Sequence, residues 1–140
     1  MADTDFVLTD APDVESVTTI SSGLRAFNIE TTGIDDYRPL AVLAKDGTGK
    51  TLGGVLGRTS LGILFLDTFF LPKSARKSGL GSKVLAMAEE EGRRRGCKSA
   101  FLYTISFQAP GFYKKHGWQA FGEIPCDPPG TRRVFMTKTL

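Results

Sequence analysis

An apolar stretch over residues 62–71 runs through a short connection into Arg76-Lys77-Ser78-Gly79-Leu80-Gly81-Ser82, where a helix is expected to begin. A strand that passes through a glycine-rich turn into a helix leaves the first N–H groups of that helix without acceptors, all directed at one spot. Such a spot binds anions. Two glycines allow close approach of the main chain, and the helix dipole adds about half a positive charge, so a diphosphate suits it. Lys73, Arg76 and Lys77 put further positive charge nearby. Asp67 is the only charged residue between Leu61 and Pro72, and strand alternation places it on one face with Phe65, Phe69 and Leu71. The one histidine, His116, lies beside Lys114 and Lys115 at the end of a short helix. A cation there suits the dipole, so a structural role is expected of it.

A second phosphate-binding pattern is present and is rejected. Ala44-Lys45-Asp46-Gly47-Thr48-Gly49-Lys50-Thr51 satisfies a permissive P-loop, but that motif works only if a helix starts at its Gly-Lys-Thr end. The next six residues include three glycines, and Asp46-Gly47 is a strong hairpin signal. A β-turn is expected instead.

The elements that must position these groups follow from period and punctuation. Residues 6–9 read as a short edge strand, Asp13 as an N-cap, and the following stretch toward Phe27 as a loose helix. Residues 29–38 are polar and read as a loop or short helix. Strands are expected at 40–44, 51–58 and 62–71, antiparallel in turn. The helix from about Leu80 to Arg95 should bury Leu80, Val84, Met87 and Ala88 and show solvent three i,i+4 pairs, Glu89/Arg93, Glu90/Arg94 and Glu91/Arg95. With a strand at 100–107 it makes a right-handed βαβ unit of two parallel strands, whose carboxyl ends open beside the glycine turn, where ligands bind in open α/β sheets. A short helix at 109–116 stopped by Gly117, and strands at 118–124 and 131–139, complete the chain.

Arg76-x-x-Gly79-x-Gly81 resembles the acyl-CoA pyrophosphate turn of the GNAT (Gcn5-related) N-acetyltransferases, and it sits, as that family requires, between a long apolar strand and an amphipathic helix. Residues 109–118, Ala-Pro-Gly-Phe-Tyr-Lys-Lys-His-Gly-Trp, resemble the family's later segment. The two together cover most of the chain from Leu40 onward. The resemblance implies an α/β fold with a six- or seven-stranded twisted mixed sheet, flanking helices and splayed parallel central strands. It implies acetyl-CoA as co-substrate, held by the amides of Lys77, Ser78, Gly79, Leu80, Gly81 and Ser82 with Arg76 close by, and by main-chain groups of Phe69, Phe70 and Leu71 along the pantetheine arm. Ala109 and Phe112 fall beside the coenzyme. So does Ser106, which stands where many members carry Asn.

The same resemblance makes Tyr113 the general acid that protonates the departing thiolate, which suits a phenol of ordinary pKa near 10 facing a thiol near 8.5. The alternative is a core tyrosine bonded to a backbone carbonyl. Relatives keep a base on the central strand, and Asp67 is the candidate here, although the commonest base position corresponds to Phe65. The alternative is a carboxylate paired with an arginine or a backbone group.

At 140 residues the chain is expected to form one domain. Its net charge of +3 is concentrated in local clusters rather than interleaved with aromatics, which argues against nucleic acid. The acidic amino terminus is unlike a secretory signal, and no apolar run reaches a membrane span, so a cytoplasmic protein is expected. Cys97 and Cys126 are expected as free thiols, and no metal is implied. The reaction expected is acetyl transfer to a small-molecule amine by direct attack in a ternary complex, with Phe27, Tyr37, Arg38, Asp67, Tyr103 and the C-terminal hairpin around the acceptor. Asp67, Asp35 and Asp36 favour a cationic amine, and a homodimer is expected from exposed edge strands. Competing readings are an acyl-CoA-binding module without turnover and a protein that binds the diphosphate alone.

Overall fold

The computed structural model describes residues 3–140, which divide into two units, one ending at Asp35 and the other spanning Asp36–Leu140.

The first unit is built on α1, Val14–Thr32. Asp13 starts it: its carboxylate accepts from the Ser16 amide at 3.1 Å and the Ser16 hydroxyl at 2.6 Å, which holds its pKa below the usual carboxylate value. Gly33, at φ 71°, ends it by donating its N–H to the Ile29 carbonyl. The helix thus takes in residues 29–32 of the stretch expected to be a loop or short helix, and Thr32 fits because its hydroxyl donates to the Asn28 carbonyl. The edge strand expected at residues 6–9 does not form; Phe6, Val7 and Leu8 are exposed and belong to no ladder. Val14, Val17, Ile20, Leu24 and Phe27 form one apolar stripe on α1, and all five are exposed.

The second unit is a six-stranded sheet with two helices on one face. Its strands are β1 (Arg38–Lys45), β2 (Thr51–Ser60), β3 (Ile63–Phe70), β4 (Ser99–Ile105), β5 (Gln119–Cys126) and β6 (Thr131–Thr139), in the spatial order β1-β2-β3-β4-β6-β5. Only β3 and β4 are parallel, joined by α2 (Leu80–Arg94). The rejected P-loop segment is the β1–β2 turn, in which the Asp46 carboxylate accepts from the Thr48 amide, the Thr48 hydroxyl and the Lys50 amide. The glycines that spoil helix formation in β2 are required by its neighbours. A Cβ on Gly53 would lie 2.3 Å from the Phe70 carbonyl oxygen, and one on Gly54, at φ 145°, only 2.0 Å from that of Val42.

Between the sheet and the helices lies the core of Val55, Leu64, Leu66, Leu85, Ala100, Leu102, Trp118 and Met136. The helix α3 (Pro110–Lys115) adds Tyr113 to it. The opposite sheet face has no helix of this unit on it. It is apolar all the same: Phe65 stacks on Phe101 at 4.5 Å, Tyr103 lies 5.6 Å from Phe135, and Phe135 lies 6.2 Å from Phe121.

On α2 the expected face is corrected. Met87 is exposed, and Leu85, Glu89 and Gly92 are buried with Val84 and Ala88. Glu89 is 5% exposed because its carboxylate takes the Trp118 indole N–H at 3.2 Å and the Lys138 ammonium at 2.6 Å. Lys138 also donates to the His116 carbonyl at 2.7 Å, so one carboxylate ties α2 to β6 and to the end of α3. Glu91 pairs with both Arg94 and Arg95, and Arg95 continues to the carbonyls of Arg38 and Pro39 and the hydroxyl of Thr59. Replacing Glu89 by Ala should lower unfolding free energy by about 3 kcal/mol, since it strands a largely buried ammonium and an indole N–H. Urea unfolding of the variant checks this.

Candidate active site

The site begins where two parallel strands separate. The ladder between β3 and β4 runs only from the pair Ile63/Ser99 to the pair Leu66/Leu102. Beyond it β3 continues against β2 through Thr68, Phe69 and Phe70, and β4 continues against β6 through Tyr103, Thr104 and Ile105. The main chain of β3 past Asp67 therefore has an open side facing the gap.

Asp67 sits at the point of separation, in a bulge: Gly57 opposes Leu66, Leu56 opposes Thr68, and Asp67 is the extra residue. This corrects the expected alternation. Two successive residues, Asp67 and Thr68, fall on the exposed side, and Phe69 rejoins the core, its ring 6.3 Å from that of Tyr113. Leu71 is buried as well, whereas Phe65 lies on the opposite face under the Arg58 guanidinium. Asp67 therefore shares no face with Phe69 and Leu71. Its carboxylate is exposed and has no hydrogen bond or ion pair among the described residues.

A short 3-10 turn, Lys73–Ala75, leads from Leu71 into the glycine turn. Lys77 and Gly79 both adopt left-handed backbone, at φ 65° and 82°. That turns the N–H groups of residues 77–82 away from the preceding chain, and none of the six finds an acceptor among the described residues. The first bond back into the turn is Lys83 N–H to the Gly79 carbonyl. A Cβ on Gly79 would meet nothing within 4 Å, so the turn is open on that side. Arg76 uses its Nε to hold the Leu71 carbonyl at 2.9 Å, and so braces the turn.

Tyr113 is 7% exposed, ringed edge-on by Phe69, Phe112 and Trp118. Burial pushes its phenol up to about 12. Its hydroxyl makes no hydrogen bond among the described residues, yet no buried side-chain oxygen there lacks a partner. The hydroxyl is therefore the accessible tip of a buried ring, and the alternative of a core tyrosine bonded to a carbonyl does not hold.

Ser106 continues the β4–β6 pairing, its N–H on the Arg132 carbonyl and its hydroxyl oxygen accepting from the Arg132 N–H. Ala109 precedes α3 and accepts the amides of Phe112 and Tyr113; the loop before it is closed by Gln108, whose side-chain oxygen takes the Ile105 N–H and the Thr104 hydroxyl. The Phe112 ring lies 3.4 Å from where a Gly81 Cβ would be, so α3 packs onto the start of α2.

His116 is the residue whose place the sequence conceals. Its Nδ1 faces the Phe112 carbonyl and its Nε2 the Ser82 hydroxyl, each at 2.9 Å, so the ring fixes the last residue of the amide cradle. The separation of 34 positions between Ser82 and His116 leaves no local signal for this contact.

Asp36 and Arg38, expected near the acceptor, are engaged elsewhere. Asp35 pairs with Arg25 at 2.6 Å, and Asp36 accepts the Leu61 amide, at the start of β3 rather than its open end. Arg38 lies opposite Thr59, again at the closed end of the sheet.

A turn of amides without acceptors among the described residues, a gap between parting strands and a phenol tip are the features of this site. The chain matches the Acetyltransferase (GNAT) family over residues 12–118. It is 35% identical to an acetyltransferase of Agrobacterium fabrum over 85% of this chain and 87% of that one. To the blasticidin-S acetyltransferase of Streptomyces morookaense it is 36% identical, over 86% and 90% of the two chains. A crystal structure from Agrobacterium tumefaciens superposes with a TM-score of 0.89 at 32% identity, covering 98% of this chain and all of that one. The chain belongs to the GNAT acetyltransferase family and is an acyl-CoA-dependent acetyltransferase.

Gly79→Ala should weaken coenzyme A binding by about tenfold or more, because a methyl group enters the space over the amides, while the left-handed backbone costs the fold only about 1–2 kcal/mol. Calorimetric titration with coenzyme A, beside thermal unfolding, separates the two effects.

Proposed function

We propose that the enzyme transfers acetyl from acetyl-CoA to the primary amine of a small cationic molecule, by direct attack within a ternary complex in the cytoplasm. The observation that carries this reading is the row of six amides, residues 77–82, without acceptors among the described residues, in the turn that follows β3. These amides hold the diphosphate, with the His116-braced Ser82 completing the row. Main-chain groups of residues 69–71 pair with the pantetheine arm as though it were a further strand, and one N–H polarises the thioester carbonyl. Ser106, Ala109 and Phe112 line the arm.

As the amine nitrogen bonds to the carbonyl carbon and the C–S bond breaks, Tyr113 gives its proton to the departing thiolate and Asp67 takes the proton lost by the nitrogen. A phenol raised to about 12 is fully protonated at neutral pH and still transfers readily when thiolate develops beside it. An exposed carboxylate without an ion pair among the described residues, at the point where the strands part, favours a cationic acceptor.

Tyr113→Phe should lower kcat by about 100-fold or more and leave coenzyme A affinity within about twofold, measured by thiol release and calorimetry. An unchanged kcat would remove the acid from Tyr113. Because the phenol titrates at about 12, kcat should show no loss assignable to this group below about pH 11. Among amines offered with acetyl-CoA, cationic acceptors should release thiol and aspartate and glutamate should not; activity confined to the acidic amines would overturn the acceptor class.

A further inference from the structure

The contact between His116 and Ser82 is more than a brace, because the hydrogens on it are not free to choose. The His116 ring is half-buried where α3 meets the start of α2, its Nδ1 2.9 Å from the Phe112 carbonyl and its Nε2 2.9 Å from the Ser82 hydroxyl. A carbonyl oxygen can only accept, so Nδ1 carries a hydrogen in either charge state of the ring. The tautomer is thereby fixed, and Nε2 is the nitrogen that gains or loses a proton. With Nε2 bare, the Ser82 hydroxyl must donate to it, and Ser82 has only lone pairs to offer an anion. With Nε2 protonated, the ring donates to Ser82 Oγ and the hydroxyl hydrogen is released. Ser82 is the third residue of α2, so its Cβ tilts toward the helix N-terminus, where the amides of residues 77–82 lie.

The charges around the ring are cationic or already paired. Lys114 and Lys115 precede it on α3, Lys83 follows Ser82 on α2, and the Lys138 ammonium of β6 donates to the His116 carbonyl at 2.7 Å. The chain into β5, Gly117-Trp118-Gln119, brings no charge. Glu89 of α2 is taken by Lys138, by Arg93 and by the Trp118 indole. No carboxylate pairs with the ring among the described residues. A protonated ring would therefore find its counter-charge in an anion bound at the amides.

Given residues 77–82 as the diphosphate site, on which this rests, we propose that His116 is a positioning residue that couples coenzyme binding to a proton: Nε2 is protonated as the diphosphate binds, and the released Ser82 hydroxyl becomes a further donor to it. The proton comes from solvent and no covalent bond of the coenzyme changes. Because proton and diphosphate favour each other's binding, coenzyme affinity rises as pH falls through the range in which imidazoles titrate, about 5 to 8.

Dephospho-coenzyme A is the probe, since it keeps the diphosphate and lacks the 3′-phosphate, whose own second proton titrates at about pH 6. Calorimetric titration of the wild-type protein between about pH 6 and 8 should show affinity rising by about threefold or more toward the acid end, with net proton uptake when buffers of different ionisation enthalpy are compared. His116→Asn keeps a donor for the Phe112 carbonyl and has no Nε2, so its affinity should be flat with pH and its proton uptake absent. Ser82→Ala keeps the ring and its charge but not the hydroxyl, and should lose most of the pH dependence. Flat wild-type affinity without proton uptake overturns the proposal and leaves the diphosphate site standing. So does a pH dependence that persists in His116→Asn, or at full size in Ser82→Ala. If the probe binds at no pH, the diphosphate site itself is refuted and the proposal falls with it. Should His116→Asn fail to fold, the wild-type ring decides: its ¹⁵N resonances should move from the Nδ1–H form toward the doubly protonated form when the probe is added, and unchanged resonances overturn the proposal.

Discussion

The molecule turns on one constraint, the commitment of β3 and β4 to different neighbours after only four residues of parallel pairing. Past Leu66 and Leu102 each strand satisfies its hydrogen bonds elsewhere, β3 with β2 and β4 with β6. Neither can close the space between them. Main-chain polar groups left at such an opening are costly if buried and unpaired, so the opening stays wet or takes a ligand with donors and acceptors of its own. An acyl-pantetheine arm carries both, which is why the proposed reading lays it there, with the diphosphate at the glycine turn.

What surrounds the opening holds it in shape. Arg76 fixes the Leu71 carbonyl, His116 fixes Ser82, and Glu89 joins α2 to Trp118 and Lys138. The last two bridge elements that the chain brings together from a distance. Tyr113 keeps a buried ring and an accessible hydroxyl, and burial holds its phenol protonated at neutral pH.

The parts of this arrangement that were legible in the chain are those with local causes. The glycine turn, the βαβ unit and the hairpin at Asp46 follow from short-range periodicity and turn chemistry, and all three stand where expected. The bulge was not legible, because strict alternation is blind to one inserted residue, and it moved Asp67 off the face of Phe69. Glu89 looked like one of three exposed helix pairs; its burial depends on Trp118 and Lys138, 29 and 49 residues away. Asp36 looked close to the acceptor only in sequence. The strand expected at residues 6–9 has suitable side chains but no partner within its unit, and a strand cannot exist without one.

The central claim is that the amides of residues 77–82 receive the coenzyme's diphosphate. Titrating ¹⁵N-labelled protein with coenzyme A and following each backbone amide resonance tests it directly. Downfield shifts concentrated on residues 77–82, as hydrogen bonds to phosphate oxygens form, are the result expected. Saturable binding that left those six resonances in place while moving others would contradict the account.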